Sequence, residues 1–157
     1  MGGKGMAKPD RKRGAGVVPY ALALVVCDAI WRDPTTGKRT ILGCFSAIQA
    51  LSFPAKHPMF SVYAALTSGH GEVPISLRLV DVDEAGPPLV ELKAKAKFED
   101  PRVILEVDFV LMNTVFPGPG EYRLQLRSGE TLLMERRIAV LEVGGQTHDA
   151  DSESGPG

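Results

Sequence analysis

Apolar and polar residues alternate with a period of two through most of this chain, in runs of roughly 8 to 12 residues cut by Gly and Pro. Successive side chains of a strand point to opposite faces, so each run predicts a half-buried β-strand. The clearest is GEYRLQLR, where Tyr122, Leu124 and Leu126 point one way and Glu121, Arg123, Gln125 and Arg127 the other. SGETLLMERRIAV follows at once. A three-residue loop of Arg127, Ser128 and Gly129, with Gly129 left-handed, predicts a hairpin that sets Leu124 opposite Leu132 and Tyr122 opposite Met134. A one-residue slip would bury Leu133 and Glu135 instead.

The other runs read alike. MFSVYAALT buries Phe60, Val62, Ala64 and Leu66; VPISLRLVDV buries Ile75, Leu77 and Leu79; RVILEVDFVLM buries Val103, Leu105, Val107, Phe109 and Leu111 and turns Glu106 and Asp108 outward. LVELKAKAKF buries Val90, Leu92, Ala94, Ala96 and Phe98 and exposes Glu91, Lys93, Lys95 and Lys97. Such a lysine row guards an edge strand against pairing with another chain. No segment carries the helical period. About eight short strands with Gly/Pro turns and no crossover helices predict an all-β, antiparallel, immunoglobulin-like sandwich. FPGPGEYRLQL adds to this, because a Tyr opening a late strand after a Pro/Gly corner is where such domains place a tyrosine corner. The Cys and Trp spacing of true immunoglobulin domains is absent.

The first hairpin is unusual in being apolar on both faces. One face carries Leu22, Leu24, Val26 and Ile30 with Ile41, Phe45 and Ala47; the other carries Ala23, Val25, Cys27, Ala29 and Trp31 with Leu42, Cys44 and Ile48. A sandwich strand normally keeps one wet face, so the second marks a candidate interaction surface of Val25, Ala29, Trp31, Leu42 and Ile48. The turn fixes the register: Asp33 and Lys38 close a loop from Pro34 to Gly37, which pairs Trp31 with Thr40, Ala29 with Leu42 and Cys27 with Cys44. The two cysteines are expected to be neighbouring, buried, unreactive thiols. A disulfide is the alternative that the same geometry permits.

Charge changes the picture only at the ends. The chain has 18 Lys and Arg against 19 Asp and Glu, a net charge of −1, so no global field steers it toward nucleic acid. Residues 1–16 are basic and residues 144–157 acidic, both poor in apolar groups, and both read as disordered tails around a single domain over 17–143. The basic start runs into VVPYALALVVC, the outline of a signal peptide, but Pro19, Val26 before the cysteine and the alternation that follows all fit poorly. A cytoplasmic location is the expectation and secretion the alternative. No run reaches the length of a membrane span.

The sequence offers little catalytic chemistry. His57 precedes Pro58 in an expected loop, His70 lies in SGHGE at an expected hairpin tip, and His148 is in the tail. Two cysteines 17 residues apart would have to recruit scattered histidines, which does not match a zinc pattern, and no signature places a base beside a Cys or Ser nucleophile. DVDEAG brings three carboxylates to a turn but lacks the later ligands of a calcium loop. Neither catalytic residues nor a metal or cofactor are expected.

CDAI, GKRTILGCFSAI, FPAKHP, VYAALT, GEVPISLRLVDVDE and FPGPGEYRLQL, in that order, resemble an uncharacterised bacterial family, a domain of unknown function of about this length. Its members open with a hairpin bearing a Gly-Lys turn and a following Gly and Phe, here Gly37, Lys38, Gly43 and Phe45. The resemblance covers residues 20 to 143. It implies an immunoglobulin-like sandwich and carries no catalytic residue with it. The functional expectation is a non-catalytic protein-interaction or assembly module, binding a protein partner or a second copy. A small-ligand or carbohydrate-binding module using His57, His70 and Trp31 is the alternative.

Overall fold

The computed structural model describes residues 16–144, and there the alternating runs form nine strands: β1 (Tyr20–Arg32), β2 (Arg39–Cys44), β3 (Ala47–Ala50), β4 (Ala55–Thr67), β5 (Gly71–Asp81), β6 (Val90–Phe98), β7 (Leu105–Phe116), β8 (Gly120–Ser128) and β9 (Thr131–Glu142). They make two sheets, one ordered β2-β1-β4-β7 and the other β3-β9-β8-β5-β6. All pairings are antiparallel except β3 with β9, which run parallel and set Ile48 beside Val140. The expectation of about eight antiparallel strands holds, with nine strands described and one pairing, β3 with β9, parallel. The short β3 was hidden in the sequence because four residues are too few to show a period. The expected tails over 1–16 and 144–157 lie outside the described residues apart from Gly16 and Gly144.

The fold is an immunoglobulin-like sandwich. Inward residues of both sheets close one core, with Phe60, Leu66, Leu77, Phe98, Leu111 and Leu124 almost wholly removed from water. Burying each such side chain contributes about 1.5 to 3 kcal/mol, which is why the alternating pattern specifies the faces so firmly. Tyr122 makes the tyrosine corner. Its hydroxyl donates to the Gly118 carbonyl at 2.6 Å, and its ring packs edge-on against Phe116.

Two details depart from the pattern. The β8–β9 hairpin turns at Gly129 and Glu130 between the paired Ser128 and Thr131, with a bulge between Leu126 and Arg127. Leu124 therefore faces Arg136 and Tyr122 faces Ile138, not Leu132 and Met134. Ser128 stays in the strand because its hydroxyl donates to the Pro74 carbonyl at 2.9 Å. Arg136, although charged, takes an inward position and donates to the Leu24 carbonyl of the other sheet at 3.1 Å. The second departure lies in β7. Val103 precedes the strand and is exposed, and at Asn113, left-handed with φ of 50°, the alternation changes phase, so that Phe109 and Leu111 are buried before it and Thr114 and Phe116 after it. The neighbours of Asn113, Met112 and Thr114, pair with Met59 and His57 of β4, the stretch where that strand changes phase as well.

Candidate functional site

The first hairpin folds as its turn residues dictate. Asp33 and Lys38 close the loop, Gly37 takes φ of 75°, and the Asp33 carboxylate accepts the Thr35 amide at 2.8 Å. The register sets Cys27 opposite Cys44, Ala29 opposite Leu42 and Trp31 opposite Thr40. β1 runs beside β4 only as far as Cys27, which pairs with Ser61; beyond it, Ala29 to Arg32 pair with β2 alone. Gly43, at φ of 69°, sits at the point of departure. A Cβ there would collide with the Asp28 carboxylate, so this bend requires glycine.

The freed half of the hairpin is held down by a polar clasp. Arg39 of β2 places Nε 2.8 Å from Asp108 Oδ1 and Nη1 3.0 Å from Glu106 Oε2, both in β7, and Glu106 Oε1 accepts the Tyr63 hydroxyl of β4 at 2.6 Å. In a flat sheet three strand spacings of about 4.8 Å separate β2 from β7, well beyond an arginine's reach. The hairpin must therefore curl across β4 toward β7. Arg39 is only 11% exposed in this position. Burial, and then the hydrogen bond to Glu106, push the Tyr63 hydroxyl up to about 12. The phenol is a fixed proton donor at neutral pH and both carboxylates are paired with Arg39. This cluster holds a hairpin in place and offers no base aimed at a nucleophile.

The curl decides which apolar residues meet water. Ile30 and Ile41 are half-buried beneath it, whereas Trp31, 53% exposed, and Leu42 stand outward. Of the residues expected to form one surface, Ala29, Trp31 and Leu42 share the outer half of the hairpin. Val25 lies lower in the sheet beside Tyr63 and is half-buried. Ile48 does not belong with them. It sits in β3 of the other sheet and packs into the core, because the chain crosses between sheets after Cys44.

Three further exposed apolar residues lie together in β4 and β7 and were not expected. Met59 of β4 pairs with Met112 of β7, Ser61 pairs with Val110, and Met59, Val110 and Met112 are all exposed, Met112 at 59%. The available signal was FVLMNTVF, eight residues without a charge, in which apolar groups occupy outward as well as inward positions. β7 is also a sheet edge, with no second strand partner among the described residues. The contrast with β6, the edge of the other sheet, is sharp. There Glu91, Lys93, Lys95 and Lys97 stand outward as expected, and the groove of about 570 Å³ beside them mixes charged side chains of Arg78, Glu91, Lys93 and Lys95 with Pro74 and Ile75 and has no aromatic ring.

The cysteines divide in character. Cys27 is fully buried and its Sγ donates to the Ser61 carbonyl at 3.6 Å, while Cys44 is exposed, so the expectation of two buried thiols holds for one only. Both thiols are free. Burial, and then the proximity of Cys44, push the Cys27 thiol up from its ordinary value. His57 lies within β4, not in a loop, with its ring 5.5 Å from that of Phe60 and 6.2 Å from that of Phe45. His70 lies at the corner where the chain passes from β4 to β5 in the other sheet, not at a hairpin tip, and its carbonyl accepts the Val17 amide at 2.9 Å. The two histidines fall at opposite ends of β4, so no pocket uses both. DVDEAG forms the turn between β5 and β6. Among the described residues no three His, Cys, Asp or Glu side chains converge on a point where a metal could sit, and no helix is long and apolar enough to cross a membrane.

Residues 22–141 match the Family of unknown function DUF6941, and the chain belongs to that family. No curated protein matches it. Among solved structures it is similar to a β-glucosidase from Listeria innocua, in complex with isofagomine, at 14% identity and a TM-score of 0.45, covering 80% of this chain and 17% of that one. It is also similar to an immunoglobulin-like protein from Pseudomonas aeruginosa, at 17% identity and a TM-score of 0.39, covering 73% of this chain and 90% of that one. The chain thus spans less than a fifth of the glucosidase's length.

Proposed function

We propose that this member of the DUF6941 family is a non-catalytic, cytoplasmic protein-interaction module that assembles through the β7 edge with a second copy of itself. The observation that carries the reading is the unguarded edge. β7 presents Val110 and Met112 outward beside Met59, with no charge between Asp108 and its end, while β6, an edge strand of the other sheet, is studded with lysines. Exposed apolar edge strands template pairing with another chain, and natural domains leave one bare where pairing is used. A two-fold axis through β7 would pair the strand with its own copy, antiparallel, and join two four-stranded sheets into one. The hairpin's Trp31 and Leu42 would extend the contact. Neither partner needs nucleic acid, metal or cofactor.

Light scattering across a concentration series tests this. The native chain should pass from monomer to dimer, and Val110→Lys, which supplies the kind of charge that β6 carries, should stay monomeric at the same concentrations and melt with the native chain at dilutions where that chain is monomeric. A native chain that is monomeric throughout overturns the reading.

A further inference from the structure

We infer that Cys27 and Cys44 form a reversible redox modification site, a cross-strand dithiol that a low-molecular-weight disulfide converts to an intramolecular disulfide. The inference stands apart from the assembly reading, because it rests on the hairpin alone. Three observations carry it. The two residues are direct register partners in β1 and β2, so their side chains leave the same face of the ribbon. Opposed residues of an antiparallel pair have Cα atoms about 4.5 to 5.5 Å apart, inside the span of roughly 4.4 to 6.8 Å that a disulfide bridges without moving the backbone. Their environments differ in the way a two-step exchange needs, since Cys44 is open to solvent and Cys27 is sealed.

The exposed thiol reacts first. Cys44, as thiolate, attacks one sulfur of the small disulfide; the S–S bond breaks, one thiolate leaves and takes up a proton, and a mixed disulfide remains on Cys44. Cys27 cannot meet the reagent directly because it is buried, and burial also disfavours its thiolate. Once the mixed disulfide forms a few ångströms away, Cys27 gives up its proton and attacks the Cys44 sulfur, expelling the second small thiol. Two protein thiols and one small disulfide thus give one protein disulfide and two small thiols. The new bond would lie where β1 leaves β4 and where Gly43 bends the ribbon, tying the base of the curled half that carries Trp31 and Leu42.

The experiment uses the full chain, reduced and then exposed to oxidised glutathione, with iodoacetamide alkylation in denaturant and intact mass as readouts. The native chain should go from two alkylatable thiols to none, lose two hydrogens in mass, retain no glutathione and recover both thiols with dithiothreitol. Cys27→Ser should instead retain one glutathione, which shows that Cys27 is the group that resolves the mixed disulfide. A native chain that keeps glutathione on Cys44 while Cys27 remains alkylatable, or that forms disulfide-linked dimers on a non-reducing gel, overturns the inference.

Discussion

Tyr122 and Thr114 are both buried hydroxyl-bearing residues, and they differ in whether the hydroxyl has a partner. The Tyr122 oxygen donates to the Gly118 carbonyl, pinning the corner ahead of β8. The Thr114 Oγ1 is sealed in β7 with no hydrogen-bond partner among the described residues. Because folding exchanges bonds to water for bonds within the protein, a typical hydrogen bond contributes about 1 kcal/mol net, and an unsatisfied buried group costs roughly 1 to 3 kcal/mol. The two substitutions should therefore have opposite signs. Tyr122→Phe is expected to lower stability by about 1 kcal/mol or somewhat more, since it also strands a carbonyl, whereas Thr114→Val, nearly the same shape, should raise it by about 1 kcal/mol. Urea unfolding of the three proteins checks both, with the slope of the transition unchanged. A Thr114→Val protein less stable than the native chain would mean that the hydroxyl has a partner beyond the described residues.

At the scale of the element, the first hairpin depends on the Tyr63–Glu106–Arg39 clasp, and that dependence has a pH signature. The Tyr63 hydroxyl is raised from 10.0 to about 12 in the folded protein, so folding favours its protonated form. Such a group contributes stability that is fully present below pH 10 and is lost as pH rises through the folded value near 12. Native protein should lose stability across that window faster than Tyr63→Phe, which has no proton to release, and hydrogen exchange at the Asp28–Arg32 amides should rise in parallel. Equal slopes for the two proteins would show that the phenol does not hold the hairpin. The same hairpin shows what the sequence makes legible. Its register followed from Pro34 and Gly37 because a tight turn leaves little choice, and the inward faces of β4 to β6 followed from period two. The β8–β9 register did not, because a bulge and an inward Arg136 both violate the alternation that was being read. Met59, Val110 and Met112 escaped notice for a related reason. An apolar residue in an outward position looks like noise until the topology shows that it lies on an edge strand, as Val110 and Met112 do, or beside one, as Met59 does, and sheet order is a non-local property that no run of ten residues contains.

At the scale of the whole molecule, stability rests on one core whose members all fall between Leu24 and Val140. Residues 1–15 and 145–157 contain no Val, Leu, Ile, Phe, Tyr or Trp, so the sequence gives them almost nothing to add to that core. Apolar burial is the dominant favourable term in folding. Ordering further residues without burial would only add to its entropic cost. A fragment of residues 16–144 should therefore fold alone and melt with the full chain. One kcal/mol shifts the melting temperature by about 2 to 8 °C over the range of domain sizes that brackets this one. Agreement within about 5 °C in a calorimetric scan is the expected result, and it should hold at low and high salt alike. A larger drop that salt abolishes would reveal a charge contact between a terminal segment and the sandwich, for which the lysine row of β6 is the natural acceptor of the acidic end.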